Sequence, residues 1–83
     1  MQETLVAVRV VERGAGKGDR FSYYRMKDSH GYGVCVKNQK DAVAIASGVT
    51  EKRGRIDALL NWLIQGLVSP IQMQDVVDDW LVC

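Results

Sequence analysis

Proline occurs once in this 83-residue sequence, histidine once and cysteine twice. A single proline, at position 70, and the lack of Ser- or Pro-rich tracts leave little room for disorder beyond the termini and one loop. Two cysteines, Cys35 and Cys83, are too few and too far apart for a disulfide framework or a zinc site. Cys35 lies in a strand pattern, where a small buried thiol is the simple reading, and neither cysteine has the neighbouring histidine or helix N-terminus that would activate it. No apolar run approaches the ~18 residues of a membrane span. Met1-Gln2-Glu3-Thr4 also lacks the basic and apolar regions of a secretion signal, so a cytoplasmic location with no membrane partner is expected. Positive charge is missing from the last third. All 11 lysines and arginines lie at or before Arg55, and Asp57, Asp75, Asp78 and Asp79 are the only charges beyond it. Such a split means an acidic partner for one face or attraction between the two halves.

What remains is the composition of an ordinary soluble protein, 47% hydrophobic and 25% charged, of a length that suits one domain over residues 1–83. Leu5-Val6-Ala7-Val8-Arg9-Val10-Val11 is rich in β-branched residues and reads as a first strand, with Val6, Val8 and Val10 on one face. Gly14-Ala15-Gly16-Lys17-Gly18-Asp19 is a flexible connection. Phe21–Lys27 and Tyr32–Lys37 read as the second and third strands. Asp28-Ser29-His30-Gly31 between them supplies turn chemistry, since Asp and Ser bond local backbone and Gly accepts positive φ. Asp41–Ala46 is a weaker fourth segment whose alanines also permit helix. Consecutive strands with short loops pair antiparallel, which makes a meander over residues 1–48 the economical topology.

Two helices follow, over 50–67 and 69–82. Ile56, Leu59, Leu60, Leu63, Ile64 and Leu67 recur with the spacing of one helix face, with Thr50 as the expected N-cap and Gly66 or its neighbours as the stop. Ser69 and Pro70 suit the N-cap and first-turn positions of the second helix, Gln72 completes a capping box, and Val68 and Met73 occupy the hydrophobic-staple positions. The fold class is therefore α+β: a four-stranded antiparallel sheet with two C-terminal helices packed on one face.

Chemistry-bearing patterns are weak. The glycines around Lys17 suggest a phosphate loop, but a strand and not a Ser/Thr-led helix follows the lysine, so a mobile hairpin loop fits better. Asp75, Asp78 and Asp79 share one face of the second helix, a solvated acidic face more readily than a cation site, because no further ligand is near. His30 sits in a turn without a nucleophile placed beside it. These patterns imply no catalytic residue, no metal and no cofactor, and a protein that is not an enzyme.

Two surfaces stand out. Asp78 and Asp79 occupy the C-terminal end of a helix, which disfavours negative charge, beside Trp80; with Trp62 they form a mixed apolar and acidic edge suited to a protein partner or to a homodimer. Alternatively, if Val6, Val8, Val10, Tyr24 and Met26 face the helices with Val34 and Val36, then Arg9, Tyr23, Arg25, Lys27 and Lys37 point outward with Cys35. That would make a basic open sheet face for nucleic acid, with a stacking aromatic among the cations.

Ser69-Pro70-Ile71-Gln72-Met73-Gln74-Asp75-Val76-Val77-Asp78-Asp79-Trp80-Leu81, together with Tyr23-Tyr24 and Tyr32-Gly33-Val34, resembles the segments of a family of short bacterial proteins from Clostridia-type Firmicutes, a domain of unknown function. The resemblance implies a cytoplasmic stand-alone domain and transfers no catalytic residue. The Gly14–Gly18 loop lies outside it.

Overall fold

The structure, a computed structural model, describes residues 2–13, 17–39 and 42–82. Strands β1 (Gln2–Arg13), β2 (Lys17–Asp28), β3 (Gly31–Lys37) and β4 (Val43–Thr50) are followed by helices α1 (Arg53–Gln65) and α2 (Pro70–Val82). The sheet order is β1-β2-β3-β4 and every pair is antiparallel, so the fold is the expected α+β meander with two C-terminal helices. The fourth segment is strand, running on through Thr50, while Asp41, Cys83 and Gly14–Gly16 lie outside the described residues. Lys17 and Gly18 begin β2, four residues before the expected start at Phe21. The β1–β2 ribbon pairs from Gln2↔Lys27 to Arg13↔Lys17, whereas β2–β3 pairing ends at Ser22↔Lys37, so the far half of the ribbon projects beyond β3.

Local chemistry sets the turns. The Asp28 carboxylate accepts the His30 N–H at 2.8 Å, and Gly31 takes φ +119° where a Cβ would meet Thr50 O at 2.7 Å. Both facts reserve that position for glycine. Gly33 is excluded from change by proximity instead: a Cβ there would run into Ala46 O, where β4 carries extra residues between its pairings with Val34 and Tyr32.

The helix ends differ in part from expectation. Because β4 continues to Thr50, which pairs with Tyr32, α1 starts only at Arg53, with Lys52 as an N-cap that makes no side-chain cap bond. Thr50 Oγ1 accepts the Lys52 N–H at 3.2 Å and so organises the approach to the helix without capping it. At the other end Gly66 remains right-handed and Leu67 takes the left-handed turn at φ +50°. The Val68 N–H reaches Leu63 O at 3.1 Å and the Leu67 N–H reaches Ile64 O at 3.2 Å, a Schellman pattern with leucine where glycine is usual. Ser69 then starts α2, its carbonyl accepting from Gln72 and Met73 N–H, and its hydroxyl meets Gln72 Oε1 at 3.4 Å. Both staple residues, Val68 and Met73, are in the core.

That core lies between one sheet face and the helices. Phe21, Tyr23, Val34 and Val36 meet Ile56, Leu59, Leu60 and Leu63 of α1, Val68 of the corner, and Met73 and Val77 of α2, with Ala44 and Ala46 beside them. The inward residues of β2 are therefore the opposite set from those expected. Tyr23 is 0% exposed and its hydroxyl donates to Val68 O at 3.0 Å. Val6, Val8 and Val10, expected to face the helices, are 43–60% exposed. The cause is in β1: an irregularity between Leu5 and Ala7 shifts the alternation, so that Gln2 and Thr4 before it, and Ala7 and Arg9 after it, share the helix side. Alanines on β1 and β4 let the helices approach closely, and Arg9 reaches over to donate to Ile64 O at 3.4 Å.

Candidate interaction surfaces

The sheet face away from the helices is apolar across all four strands. Leu5, Tyr24, Cys35 and Ile45 pair in register as one transverse row; Val8, Ser22, Lys37 and Val43 form the next. Val10 extends the apolar track along β1. Leu5, Val8, Val10, Val43 and Ile45 are all exposed large hydrophobics. Antiparallel sheets with one solvated face show a clean apolar–polar alternation; this sheet is apolar on both faces.

A polar strap crosses the middle of that face. The Lys37 ammonium lies 4.6 Å from the centroid of the Tyr24 ring and 3.0 Å from Glu3 Oε1, bridging β3 to β1 over β2. Cys35 is buried beneath, close to the Glu3 carboxylate. Burial first, then the Glu3 charge, push the thiol pKa up, and Lys37 only partly draws it back. The Glu3 hydrogen bond in turn raises the Lys37 ammonium above its ordinary value. The strap is internally neutral, so the face presents hydrophobic area without an unpaired charge at its centre.

The basic surface expected for nucleic acid is not assembled. Tyr23 is buried and cannot stack on a base, and Arg9 turns to the α1 C-terminus. Arg25 lies on the helix side, where Nη1 meets Asp57 Oδ1 at 3.2 Å, and Lys27 follows it on that side; Lys37 alone of the five is on the open face. The expectation took the opposite alternation on β1 and on β2, while the inward placing of Val34 and Val36 on β3 agrees with the structure.

On the helix side, Trp62 is 49% exposed on α1. Trp80 packs partly against the core and carries the Arg55 guanidinium 4.9 Å from its ring centroid, a contact that ties α2 to α1. Asp78 accepts from Gln74 Nε2 at 2.9 Å, and neither Asp78 nor Asp79 makes a salt bridge among the described residues. Arg55 of α1 is committed to the tryptophan face and forms no salt bridge with Asp78 or Asp79 among the described residues. Among the described residues no group of three or more His, Cys, Asp or Glu side chains converges as a metal ion would require, and no helix is long and apolar enough to cross a membrane.

Sequence reasoning missed the open-face residues Leu5, Tyr24, Val43 and Ile45. The available signal was that β1 and β4 carry aliphatic residues on a face that an alanine-lined, helix-covered side leaves over.

These features define a two-layer α+β domain with helices on one sheet face and an uncovered apolar surface on the other. The chain belongs to DUF6514, a family of unknown function, whose match extends over residues 2–82. This agrees with the resemblance to a domain of unknown function. No curated protein and no solved structure matches the chain.

Proposed function

We propose that this chain is a non-enzymatic interaction domain that pairs with a second copy of itself through the open sheet face. The observation that carries the reading is the contiguous track of half-exposed aliphatic residues Leu5, Val8, Val10, Val43 and Ile45 around the neutral Glu3–Lys37 strap. The neutral strap opposes no like charges where two copies meet over it; Arg20, exposed and paired in register with Val10, also lies on this face. Fully burying an aliphatic side chain is worth ~1.5–3 kcal/mol, so covering five half-exposed ones contributes about 4–7 kcal/mol per copy. Two copies thus gain about 8–15 kcal/mol, against an association cost of ~4–15 kcal/mol. Gain and cost are of similar size, so the dimer is weak and its population depends on concentration. The candidate nucleophile and base support the non-enzymatic part: Cys35 is buried with its pKa raised, and His30 is exposed on a hairpin turn. The family resemblance adds a bacterial, cytoplasmic setting to the proposal.

Sedimentation equilibrium across a hundred-fold concentration range tests it, with Ile45→Lys as the disrupting variant and circular dichroism as the check on folding. A wild-type dimer that becomes monomeric in Ile45→Lys is the expected result. A wild-type monomer throughout overturns the proposal. So does a dimer that survives Ile45→Lys and dissociates on Trp62→Ala, which would move the contact to the Trp62, Asp78, Asp79 and Trp80 edge.

A further inference from the structure

Beyond the start of α1 the helix-side face of the sheet is uncovered, and its chemistry changes from apolar to cationic. Gln2 pairs with Lys27 and Lys27 with Tyr32, while Thr4 pairs with Arg25, so these five residues stand together at one end of β1, β2 and β3. With Arg53 from the first turn of α1 they line a hollow of about 150 Å³. Every lining side chain is able to donate a hydrogen bond and none is an acceptor-only carboxylate. Asp57 stands behind the two arginines, accepting from Arg25 Nη1 at 3.2 Å and facing Arg53 Nε at 3.6 Å, which holds both guanidinium groups in place. Three cations against this one carboxylate leave the site electropositive. Lys27, 5.5 Å from the Tyr32 ring centroid, has no carboxylate partner among the described residues.

We propose that this hollow binds a single phosphoryl group, as the free dianion or as the monoester of a small molecule. Its volume is about that of five water molecules, too small for a whole nucleotide and adequate for one tetrahedral anion. Two guanidinium groups, an ammonium, two hydroxyls and an amide match an anion with several acceptor oxygens better than a monocarboxylate. The start of α1 adds to the site: it has no side-chain cap and no acidic residue in its first turn, so its positive end is not neutralised from within. A nucleic-acid backbone needs a track of cations, and two of the five residues expected to form one are elsewhere, Lys37 on the opposite face and Arg9 bound to the α1 C-terminus. The site is independent of the open-face contact.

The test is a ¹⁵N-resolved NMR titration of the whole chain at constant ionic strength, with inorganic phosphate, ribose 5-phosphate, acetate and a six-nucleotide single-stranded DNA in separate arms. Phosphate and the monoester are expected to shift the Thr4, Lys27, Arg53 and Gly54 amides with saturation in the range of roughly 1 mM, and acetate to bind at least ten-fold more weakly. The double variant Lys27→Gln, Arg53→Gln, which changes only exposed side chains, is expected to lose at least ten-fold in phosphate affinity with an unchanged spectrum elsewhere. Absence of saturable shifts up to 20-fold above that concentration, or phosphate binding unchanged in the double variant, overturns the site. An oligonucleotide that binds more tightly than either small phosphate overturns the single-phosphoryl assignment and points to nucleic acid. Preferential binding of free phosphate or of the monoester identifies which of the two sources the site serves.

Discussion

Replacing Tyr23 with phenylalanine removes one oxygen from the centre of the molecule and tests how the helix corner is held. The Tyr23 side chain is fully buried, and its hydroxyl donates to Val68 O at 3.0 Å in the short link between the helices. The Tyr23→Phe ring fills nearly the same space, so the transfer and packing terms change little. What is lost is a buried hydrogen bond, with the Val68 carbonyl left in an apolar setting, a cost of about 1–3 kcal/mol. For a domain of this size, expected to hold roughly 4–12 kcal/mol in all, that is a large fraction. A 2 kcal/mol loss lowers Tm by about 8–16 °C and the urea midpoint by about 1 M at unchanged slope. Tyr24→Phe is the control, because Tyr24 lies on the open face, and it should cost less than about 0.5 kcal/mol. Urea melts followed by circular dichroism decide the matter, and equal midpoints for the two variants would refute the role given to the hydroxyl. The same pair reports on pH. Burial pushes the Tyr23 pKa above its ordinary value of 10.0, and the Arg9 charge only partly lowers it. The folded state therefore favours the protonated phenol, so this contribution is complete below about pH 10 and is lost as pH rises through the folded value. Cys35, raised from 9.0, adds a loss in the same direction beginning lower. Wild-type stability should fall from about pH 9 upward, and Tyr23→Phe should flatten the part of that fall above pH 10.

Two further outcomes concern backbone geometry. Leu67 is held at φ +50° at the end of α1, a conformation costing a leucine about 1–2 kcal/mol and a β-branched residue more. Leu67→Gly should therefore be more stable than Leu67→Val by at least about 1 kcal/mol in a urea melt, although side-chain burial alone predicts the reverse order. Gly33→Ala should cost about 1–3 kcal/mol or more because its Cβ would strike Ala46 O, whereas Gly54→Ala, where the added Cβ meets nothing within 4 Å, should gain about 0.5–1 kcal/mol of helix stability. Thermal melts of the two alanine variants check this, and a shift of the same sign in both would count against it.

Much of the fold was legible because its signals are local. Ile56, Leu59, Leu60 and Leu63 mark α1 by spacing, Ser69-Pro70 fixes the start of α2, and Asp28–Gly31 marks a hairpin. The facing of the strands was not legible, since it depends on a shift at Leu5–Ala7 that sequence alternation does not announce. On β2 the alternation of Phe21 to Lys27 allows either facing, and only the pairing of Tyr23 with inward Val36 settles it. The left-handed turn at Leu67 was missed for a similar reason: Gly66 is the residue that propensity favours there, yet the chain turns one position later, where Val68 can reach both Leu63 O and the core. The cationic hollow was half visible, in Arg25 and Lys27. Arg53 joins them only because β4 runs on to Thr50 and sets where α1 begins.

Why the valines lie outside follows from what the helix corner requires. Closing α1 onto α2 in so short a link leaves the Val68 carbonyl facing the sheet, and a surface of valines has no donor to offer it. Ile64 O already accepts the Leu67 N–H and takes Arg9 as a second donor. The face carrying Arg9 and Tyr23 supplies a guanidinium and a hydroxyl to those two oxygens, while Ala7, Ala44 and Ala46 allow the close approach that makes the bonds reachable. Burying a polar group without a partner costs about 1–3 kcal/mol, comparable with what one valine gains by full burial, so polar satisfaction decides the facing. The aliphatic residues displaced by that choice are concentrated on one flat surface instead of being scattered. A lone domain gains little from such a surface, since Thr at Val8, Val10, Val43 and Ile45 would also suit strands and keep the face polar. In the pairing we propose, a second copy with the same surface would give those residues the burial that the helix corner denies them.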